Sequence, residues 1–180
     1  MYDQGTYENK VSKENRMEMR GIEVGHVFFF GDKYTKPLKA NVQDSEGNIN
    51  PMQSGSYGIG VSRLVAAIIE ASHDEKGIIW PKSISPFDYA LLNLNTKDDN
   101  LVKLSDTIYK KITDVSSVLY DDTNSSVGEK LNRVDLIGVP IQIILGKNSI
   151  ENNTLELKER STGNVQVINV DVFLKQLHNG

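Results

Sequence analysis

The stretch at residues 55–70 constrains the fold of this chain more than any other. It reads Gly-Ser-Tyr-Gly-Ile-Gly-Val-Ser-Arg and then continues into an almost uninterrupted apolar run. Gly58 and Gly60 lack a Cβ, so the main chain there can adopt a positive φ or let a ligand approach closely. The pattern predicts a glycine-spaced turn followed by a helix over 62–72, with Ser62 as its N-cap and most of its surface buried.

Arg63 is the only charged residue between this turn and Glu70. A guanidinium beside bare main chain suits an anionic, planar ligand, because it can pair with phosphate oxygens and stack on a base. The alternative is a helix-capping turn whose arginine reaches solvent, and the spacing by itself favours that alternative. The spacing is neither the dinucleotide fingerprint nor a P-loop. The stretch does resemble motif 3 of class II aminoacyl-tRNA synthetases, in which the arginine contacts ATP.

Composition excludes several classes of protein. No apolar run approaches the length of a membrane span, and the N-terminus lacks the layout of a signal peptide, so we expect a cytoplasmic protein without a membrane partner. The chain has no cysteine and only three scattered histidines, which predicts neither disulfides nor a metal site. A net charge of −4 argues against non-specific coating of nucleic acid, yet it leaves a local RNA site open.

The first half of the chain has the pattern of an antiparallel sheet with one helix. Residues 1–20 are polar and predict an N-terminal arm of loop or poorly ordered chain. Strands are then predicted over 22–30, 40–44 and 49–54. Glu23 and His26 are three positions apart on the first of these strands, so we expect them on opposite faces. The alternative to a functional role is that one of them merely faces solvent.

The second half alternates strands and helices. Pro81 and Pro86 predict a domain boundary near residue 85, which divides the chain into domains at 21–85 and 86–180. The alternation predicts a mixed sheet flanked by helices, and hence an α+β part followed by an α/β part. The predicted strands are 88–94, 118–120, 139–145, 154–160 and 165–168, and the predicted helices are 98–113, 129–137 and 171–177.

Several motifs in one order resemble bacterial-type prolyl-tRNA synthetase over roughly residues 20–180. They are Arg-Gly-Ile-Glu-Val-Gly-His-Val-Phe at 20–28, Lys-Tyr-Thr at 33–35, the glycine-spaced stretch, Asp-Glu-Lys-Gly-Ile-Ile-Trp-Pro at 74–81 and Ser-Pro-Phe at 85–87. The second half resembles the anticodon-binding domain that the prolyl, histidyl, threonyl and glycyl synthetases share. Its matching stretches are Leu119–Asp122, Gly128–Lys130, Asp135–Pro140 and Glu156–Arg160.

The resemblance implies roles for individual residues of the first half. Arg63 would hold ATP, stacking on adenine and reaching the terminal phosphate, while Gly58 and Gly60 would let the nucleotide lie close to the main chain. Glu23 and His26 would line the proline pocket, the carboxylate facing the secondary ammonium of the amino acid. Ser56 lies near the same pocket, where the family often has a cysteine. ATP with Mg²⁺ is then a substrate of the complete enzyme, with no protein ligand named for the metal and no prosthetic group.

For the second half the resemblance implies binding of proline tRNA. Lys130, Arg133, Lys158 and Arg160 would meet phosphates and base edges of a splayed anticodon loop. The alternative for Lys158 and Arg160 is that they form the solvent face of an alternating strand, and the sequence alone favours it.

Other parts of the family pattern are absent. Nothing in the chain resembles motif 1, which builds the dimer interface, motif 2, whose arginine grips the α-phosphate, or the editing insertion. We therefore expect the C-terminal part of a prolyl-tRNA synthetase, a ligase of protein biosynthesis, that binds tRNA without independent catalysis. The complete enzyme would be a homodimer, and the oligomeric state of this chain is left open. The alternatives are a free-standing anticodon-binding module and an unrelated α+β nucleotide-binding protein that uses Gly58, Gly60 and Arg63.

Overall fold

The chain folds as two compact units, each with its own sheets. The computed structural model describes residues 8–17 and 19–177. The first unit ends at Ala67 and the second begins at Ile68. This division lies upstream of the boundary predicted near residue 85. The domain limits 21–85 and 86–180 therefore stay a prediction.

The first unit contains two antiparallel ribbons and the start of a helix. Strand β1 pairs with β4, with His26 opposite Gly58 and Phe28 opposite Ser56, and β2 pairs with β3. The elements are β1 (Gly25–Gly31), β2 (Asn41–Gln43), β3 (Ile49–Pro51), β4 (Ser54–Ile59) and α1 (Val61–Ala71). The predicted antiparallel layout is thus present as two separate two-stranded pieces.

The glycine-spaced stretch is a strand, so the predicted turn is wrong. Residues 54–59 pair with β1 along their length, and neither Gly58 nor Gly60 has a positive φ. Gly55 explains part of the glycine content, because a Cβ there would lie 2.9 Å from the carbonyl oxygen of Phe28. Ser62 is inside α1 and not at its N-cap, since the helix already begins at Val61.

Helix α1 is less buried than its apolar sequence predicts. In the part of the chain that the structure describes, none of its residues is fully buried, and Val61 and Val65 are exposed. A helix buries an apolar stripe only where another layer covers it. The prediction of a helix buried on most sides is therefore wrong for this chain.

The predicted N-terminal arm falls partly outside the described residues, which omit 1–7 and 18. The described part is locally ordered. A 3₁₀ turn covers Lys13–Asn15, and Arg16 donates from Nε to the carbonyl oxygen of Val11 at 2.8 Å and from Nη2 to that of Glu8.

The second unit opens with a small hairpin that packs on the end of a helix. Strands β5 (His73–Asp74) and β6 (Gly77–Ile78) are antiparallel. Gly77 and Gly138 both have positive φ, and a Cβ on Gly77 would lie 2.4 Å from the Cα of Leu136. Trp80 then donates its indole N–H to the carbonyl oxygen of Ile137 at 2.9 Å. Glycine is required at both positions because main chain meets main chain there.

A five-stranded mixed sheet forms the centre of this unit. Its order is β11-β10-β9-β7-β8, with β7 parallel to both β8 and β9 and the two remaining pairs antiparallel. The strands are β7 (Tyr89–Asn93), β8 (Val118–Asp121), β9 (Ile141–Leu145), β10 (Thr154–Glu159) and β11 (Val165–Asn169). This confirms the predicted mixed sheet.

Helices cover both faces of the sheet. Asp98 caps α2 by accepting from the N–H groups of Asn100 and Leu101, and Ser126 with Glu129 forms a capping box on α3. The helices are α2 (Asp99–Thr113), α3 (Val127–Ile137), α4 (Lys147–Asn152) and α5 (Val170–Leu177). The sequence analysis did not predict α4, which is only six residues long and has a single apolar residue, Ile150.

Two apolar clusters fill the space between sheet and helices. The larger contains Leu91, Ile108 and Phe173, and it brings together residues of β7, α2 and α5. The smaller contains Leu92, Val134 and Val139 and lies under α3. Among the described residues, no helix is both long enough and apolar enough to span a bilayer.

Candidate functional site

In the first unit three predicted site residues come together at the start of α1. Nη1 of Arg63 donates to the carbonyl oxygen of Glu23 at 2.9 Å and lies 3.7 Å from its Oε1. Nδ1 of His26 also lies 3.7 Å from that carboxylate oxygen. Glu23 lies before β1 begins at Gly25, so the alternation of side chains along a strand does not apply to it. The expectation that Glu23 and His26 lie on opposite faces is therefore wrong. Both Glu23 and Arg63 are 57% exposed at their side chains, which leaves this carboxylate–guanidinium pair accessible to a ligand.

Ser56 and Gly58 lie on the same face of the ribbon as His26. The register places Gly58 opposite His26 and Ser56 opposite Phe28, and paired residues of antiparallel strands share a face. A Cβ on Gly58 would meet no atom within 4 Å, so the main chain there is bare. Gly60 differs, because a Cβ on it would lie 3.2 Å from the Cβ of Arg63. Gly58 thus leaves room for a ligand, whereas Gly60 leaves room for Arg63.

A row of aromatic rings continues this face, and the sequence analysis missed it. The rings of His26 and Phe28 stack with centroids 4.1 Å apart, Phe28 and Phe30 follow at 6.0 Å, and Tyr34 meets Phe30 edge-on at 5.3 Å. The signal was available, because positions 26, 28 and 30 alternate and a strand places them on one face. A planar ligand on this face would therefore meet aromatic surface next to the Glu23–Arg63 pair.

In the second unit Lys130 is buried and held by main chain. It is 1% exposed, and its Nζ donates to the carbonyl oxygen of Asn93 and, at 3.4 Å, to that of Asp121. Burial lowers the pKa of Lys130, an effect that the nearby Asp121 and Asp122 partly oppose. Lys130 therefore links α3 to β7 and β8, and its buried Nζ is not accessible to a phosphate.

Arg133, one turn further along α3, has the opposite character. Its side chain is 41% exposed and forms a network in which Nη1 donates to Asp121 Oδ2 at 2.8 Å and to Thr123 Oγ at 3.1 Å, and Nη2 donates to Ser125 Oγ at 3.2 Å. Burial alone would raise the pKa of Asp121, but hydrogen bonds from Thr123 and the charge of Arg133 hold it below its usual value. Arg133 is thus a charged, oriented and accessible side chain.

Lys158 and Arg160 face away from bulk solvent, so their interpretation as a solvent face is wrong. Nζ of Lys158 contacts both carboxylate oxygens of Asp135, at 2.7 and 2.8 Å. Arg160 is 4% exposed and donates in bidentate fashion to Asp74, at 2.9 and 2.6 Å, and from Nε to the carbonyl oxygen of Asp135. The Asp74 contact raises the pKa of Arg160 and holds that of Asp74 well below its usual value.

The four predicted anticodon residues therefore form two groups. Lys130 and Arg133 lie between β8 and α3, whereas Lys158 and Arg160 lie over β10 with Asp135. The structure does not gather them into one basic patch. Their roles in RNA binding stay predictions, and Arg133 has the most exposed side chain of the four.

A cavity of about 210 Å³ lies beside Arg133. Its lining combines polar Asp121, Thr123 and Arg133 with Tyr120 and a set of apolar residues on β7, β8 and α3. The apolar residues are Ala90, Leu92, Leu119, Val134 and Ile137. The sequence analysis named residues 119–122 only as a stretch, because which of them line a cavity depends on where α3 crosses the sheet. Within the described residues, no three or more His, Cys, Asp or Glu side chains are grouped so that they could hold a metal ion.

Residues 88–179, which span the sheet, its helices and this cavity, match the family described as Anticodon binding domain. The chain belongs to that family. Among curated proteins it is similar to the proline–tRNA ligase of Wolbachia sp. subsp. Drosophila simulans (strain wRi), 52% identical over 161 residues that make up 89% of this chain and 37% of that protein. It is also similar to the proline–tRNA ligase of Agrobacterium fabrum (strain C58 / ATCC 33970), 44% identical over 177 residues, 98% of this chain and 40% of that protein.

A solved structure shares the fold. It is the prolyl-tRNA synthetase from Cryptosporidium parvum complexed with L-proline and AMP, with a TM-score of 0.72, 19% identity, and coverage of 88% of this chain and 36% of that chain. The chain thus spans about two-fifths of the length of the curated relatives it matches, and the match is to their C-terminal part. The predicted resemblance and fold class are confirmed.

Proposed function

We propose that this chain is the tRNA-binding, C-terminal part of a prolyl-tRNA synthetase, and that its second unit binds the anticodon loop of proline tRNA beside Arg133. The cavity between α3 and the β7–β8 edge carries this proposal. A splayed RNA base has an apolar face and a polar edge, and it binds where apolar walls adjoin a few oriented polar groups. The apolar walls with Arg133, Asp121 and Thr123 have that chemistry.

The same geometry separates the four cations by role. Arg133 would contact a phosphate or a base edge. Lys130, Lys158 and Arg160 would instead fix the position of α3 and β10. Their side chains are 1%, 17% and 3% exposed, against 41% for Arg133, and their charged groups are held by carboxylate or carbonyl partners. Loss of one charge-assisted hydrogen bond costs about 1.5–3 kcal/mol, so Arg133→Ala should weaken binding of proline tRNA roughly 10- to 100-fold.

The test is binding of proline tRNA to the purified chain, compared for Arg133→Ala and Lys111→Ala. Lys111 is an exposed cation on α2, so its substitution removes the same charge from a different surface. Lys111→Ala should change affinity by less than about threefold in buffer of moderate salt. A proline tRNA with altered anticodon bases should lose affinity for the wild-type chain to a similar extent. Equal losses for both variants would show that general charge, and not this cavity, holds the RNA.

For the first unit we propose a part in the ATP and proline site of the complete synthetase. Arg63 would contact ATP, the main chain at Gly58 and Gly60 would lie along the nucleotide, and Glu23, His26 and Ser56 would line the proline pocket. The clustering of Glu23, His26 and Arg63 supports this proposal, since a carboxylate suits the secondary ammonium of proline and a guanidinium suits phosphate. ATP would enter as its Mg²⁺ complex, as a substrate.

The chain by itself should not form prolyl-adenylate. The α-phosphate gathers negative charge as the carboxylate of proline attacks it, and a preorganised cation there typically contributes about 10²–10³ in rate. Arg63 would lie at the other end of the nucleotide, and Arg16 is engaged by main-chain carbonyls. Proline-dependent ATP–pyrophosphate exchange should therefore be undetectable. Exchange at a hundredth of the rate of a full-length synthetase, surviving repurification, would contradict this.

A further inference from the structure

The carboxylate of Glu23 is shared by two other side chains of the candidate site. Nη1 of Arg63 and Nδ1 of His26 each lie 3.7 Å from the same oxygen, Oε1. A separation of 3.7 Å is longer than an ordinary hydrogen bond, so the carboxylate acts on Arg63 mainly through its charge. Arg63 is the proposed contact for ATP and His26 a proposed wall of the proline pocket. One negative charge therefore lies between the proposed sites of both substrates.

The main chain of Glu23 acts on Arg63 in a different way from its side chain. The carbonyl oxygen of Glu23 accepts a hydrogen bond from Nη1 of Arg63 at 2.9 Å, which orients the guanidinium. The next carbonyl, that of Val24, accepts from the N–H of Gly60 at 3.0 Å and ties this segment to the residue before α1. Orientation thus comes from the main chain, whereas the carboxylate offsets the positive charge. A Glu→Gln substitution keeps the first effect and removes the second.

A phosphate group and this carboxylate would compete for the same guanidinium. Arg63 would attract an ATP phosphate through its positive charge, part of which the Glu23 carboxylate already offsets. In the proposed function Glu23 faces the secondary ammonium of proline. A carboxylate that acquires this cation exerts a weaker net field on its other neighbours, because opposite charges close together cancel at a distance. Arg63 would then attract phosphate more strongly.

We propose that Glu23 couples the binding of the two substrates: its carboxylate holds the affinity for ATP down until the ammonium of proline neutralises it. This role rests on the proposed function of the first unit and makes Glu23 a positioning residue that acts on ATP through Arg63. Binding linkage is reciprocal, so ATP strengthens the binding of proline by the same factor. The factor is roughly two- to fivefold, since both side chains are 57% exposed and exposed ion pairs are weak.

The first experiment measures ATP affinity in the absence of proline. In a chimaera this chain replaces the matched C-terminal part of the Wolbachia pipientis wMel proline–tRNA ligase as one polypeptide, and equilibrium dialysis gives the Kd for ATP with Mg²⁺. Glu23→Gln should bind ATP roughly two- to fivefold more tightly than the wild-type chimaera. A residue that only bound proline would leave this Kd unchanged, and a residue that only supported the fold would weaken ATP binding when substituted.

Two further variants separate the coupling from a general effect of charge. Glu46→Gln is the matched control, because Glu46 is an exposed carboxylate in the turn between β2 and β3 of the same unit. Its Kd for ATP should stay within about 1.5-fold of wild type, since solvent and salt screen a distant exposed charge. In an Arg63→Ala background Glu23→Gln should change the Kd by less than about 1.5-fold, because the carboxylate acts through the missing guanidinium.

The second experiment supplies the cation without the reaction. Prolinol keeps the secondary ammonium of proline and lacks the carboxylate that attacks ATP. Saturating prolinol should tighten ATP binding by the wild-type chimaera to about the level that Glu23→Gln reaches without it. Raising the salt to about 0.5 M should reduce both enhancements, because the pair is exposed. Dialysis of ATP against the isolated chain, which contains Glu23 and Arg63, repeats the comparison without the grafted segment.

The possible failures are distinguishable. Unchanged or weaker ATP binding by Glu23→Gln would overturn the coupling, and so would prolinol that binds the wild-type chimaera without tightening ATP. An Arg63→Ala chimaera that binds ATP as tightly as wild type would instead contradict the proposed ATP contact. Proline-dependent ATP–pyrophosphate exchange by the wild-type chimaera tests the proposed function of the first unit whatever the effect of Glu23→Gln.

Discussion

The β1–β4 ribbon and the central sheet of the second unit contain similar apolar residues, but those residues are exposed in the ribbon and buried in the central sheet. Val27 and Phe29 on β1 are 79% and 83% exposed, whereas Leu91 and Leu92 on β7 are fully buried. The difference does not come from composition. It comes from the layers around each sheet. Helices α2 and α5 cover one face of the five-stranded sheet and α3 covers part of the other, whereas among the described residues β1 and β4 pair only with each other. Whether the apolar side chains of a strand are buried therefore depends on the elements that pack against it.

The largest difference between the two regions should appear when one large side chain in each is shortened. Leu91→Ala removes a fully buried side chain and leaves a cavity, which should lower the free energy of unfolding by about 3 kcal/mol. Tyr57→Ala removes a side chain that is 83% exposed, so the change should stay within about 0.5 kcal/mol. Urea unfolding checks both, with far-UV circular dichroism for the whole chain and fluorescence of Trp80, the single tryptophan, for the second unit.

A large loss in Tyr57→Ala would mean that the ribbon is already covered within this chain. A small loss in Leu91→Ala would mean that the second unit tolerates cavities at the centre of its sheet. Either result would remove the contrast in burial between the two regions.

The second prediction concerns where the self-sufficient region begins. We propose that residues 86–180 fold alone, as the predicted domain limits require, but that residues 72–180 are more stable by about 2 kcal/mol. The longer piece keeps the indole hydrogen bond of Trp80, the close packing of Gly77 and Gly138, and the Asp74–Arg160 pair. Thermal unfolding of the two purified fragments measures the difference. Equal stability would place the hairpin outside the folding unit, and a shorter piece without a cooperative transition would contradict the limit at residue 86.

Much of the second unit could be predicted because its local signals agree with its tertiary structure. Asp98 and Ser126 cap helices that lie close to the predicted 98–113 and 129–137, and the strand predicted over 139–145 is present as β9. Local and global preferences coincide there, which is why pattern and spacing suffice. Helix α4 was missed because a six-residue helix is shorter than two full turns and has little periodicity to detect.

The first unit and the candidate site were harder for a physical reason. Glycines predict turns locally, yet the register with β1 makes residues 54–59 a strand, and pairing is a non-local property. Lys130 and Arg133 are three positions apart on one helix and carry the same charge, but the first is buried against two carbonyl groups and the second is accessible. Only the position of α3 on the sheet distinguishes them. The sequence motif identified both residues, but it could not distinguish the buried lysine from the exposed arginine.

The smallest of the three effects should come from acid, and it tests whether the buried ion pairs belong to the folded state of the second unit. Burial alone would raise the pKa of Asp135, but the hydrogen bonds from Lys158 and Gln142 outweigh it and hold the pKa below its ordinary value of 3.8. A carboxyl group with a lowered folded pKa stabilises the fold above its unfolded pKa, and that contribution is lost as pH falls through the folded value. The urea midpoint should thus decrease from about pH 4 downwards.

Asp135→Asn should be less stable at pH 7, because it leaves Lys158 without its carboxylate, and it should lose less stability between pH 5 and pH 3. It removes only part of the acid sensitivity, since Asp74, Asp88 and Asp121 also have lowered pKa values. Asp106→Asn, an exposed change on α2, is the control and should follow the wild-type profile. If Asp135→Asn followed that profile as well, the Lys158 contact would be dispensable and β10 would be held by its apolar face alone.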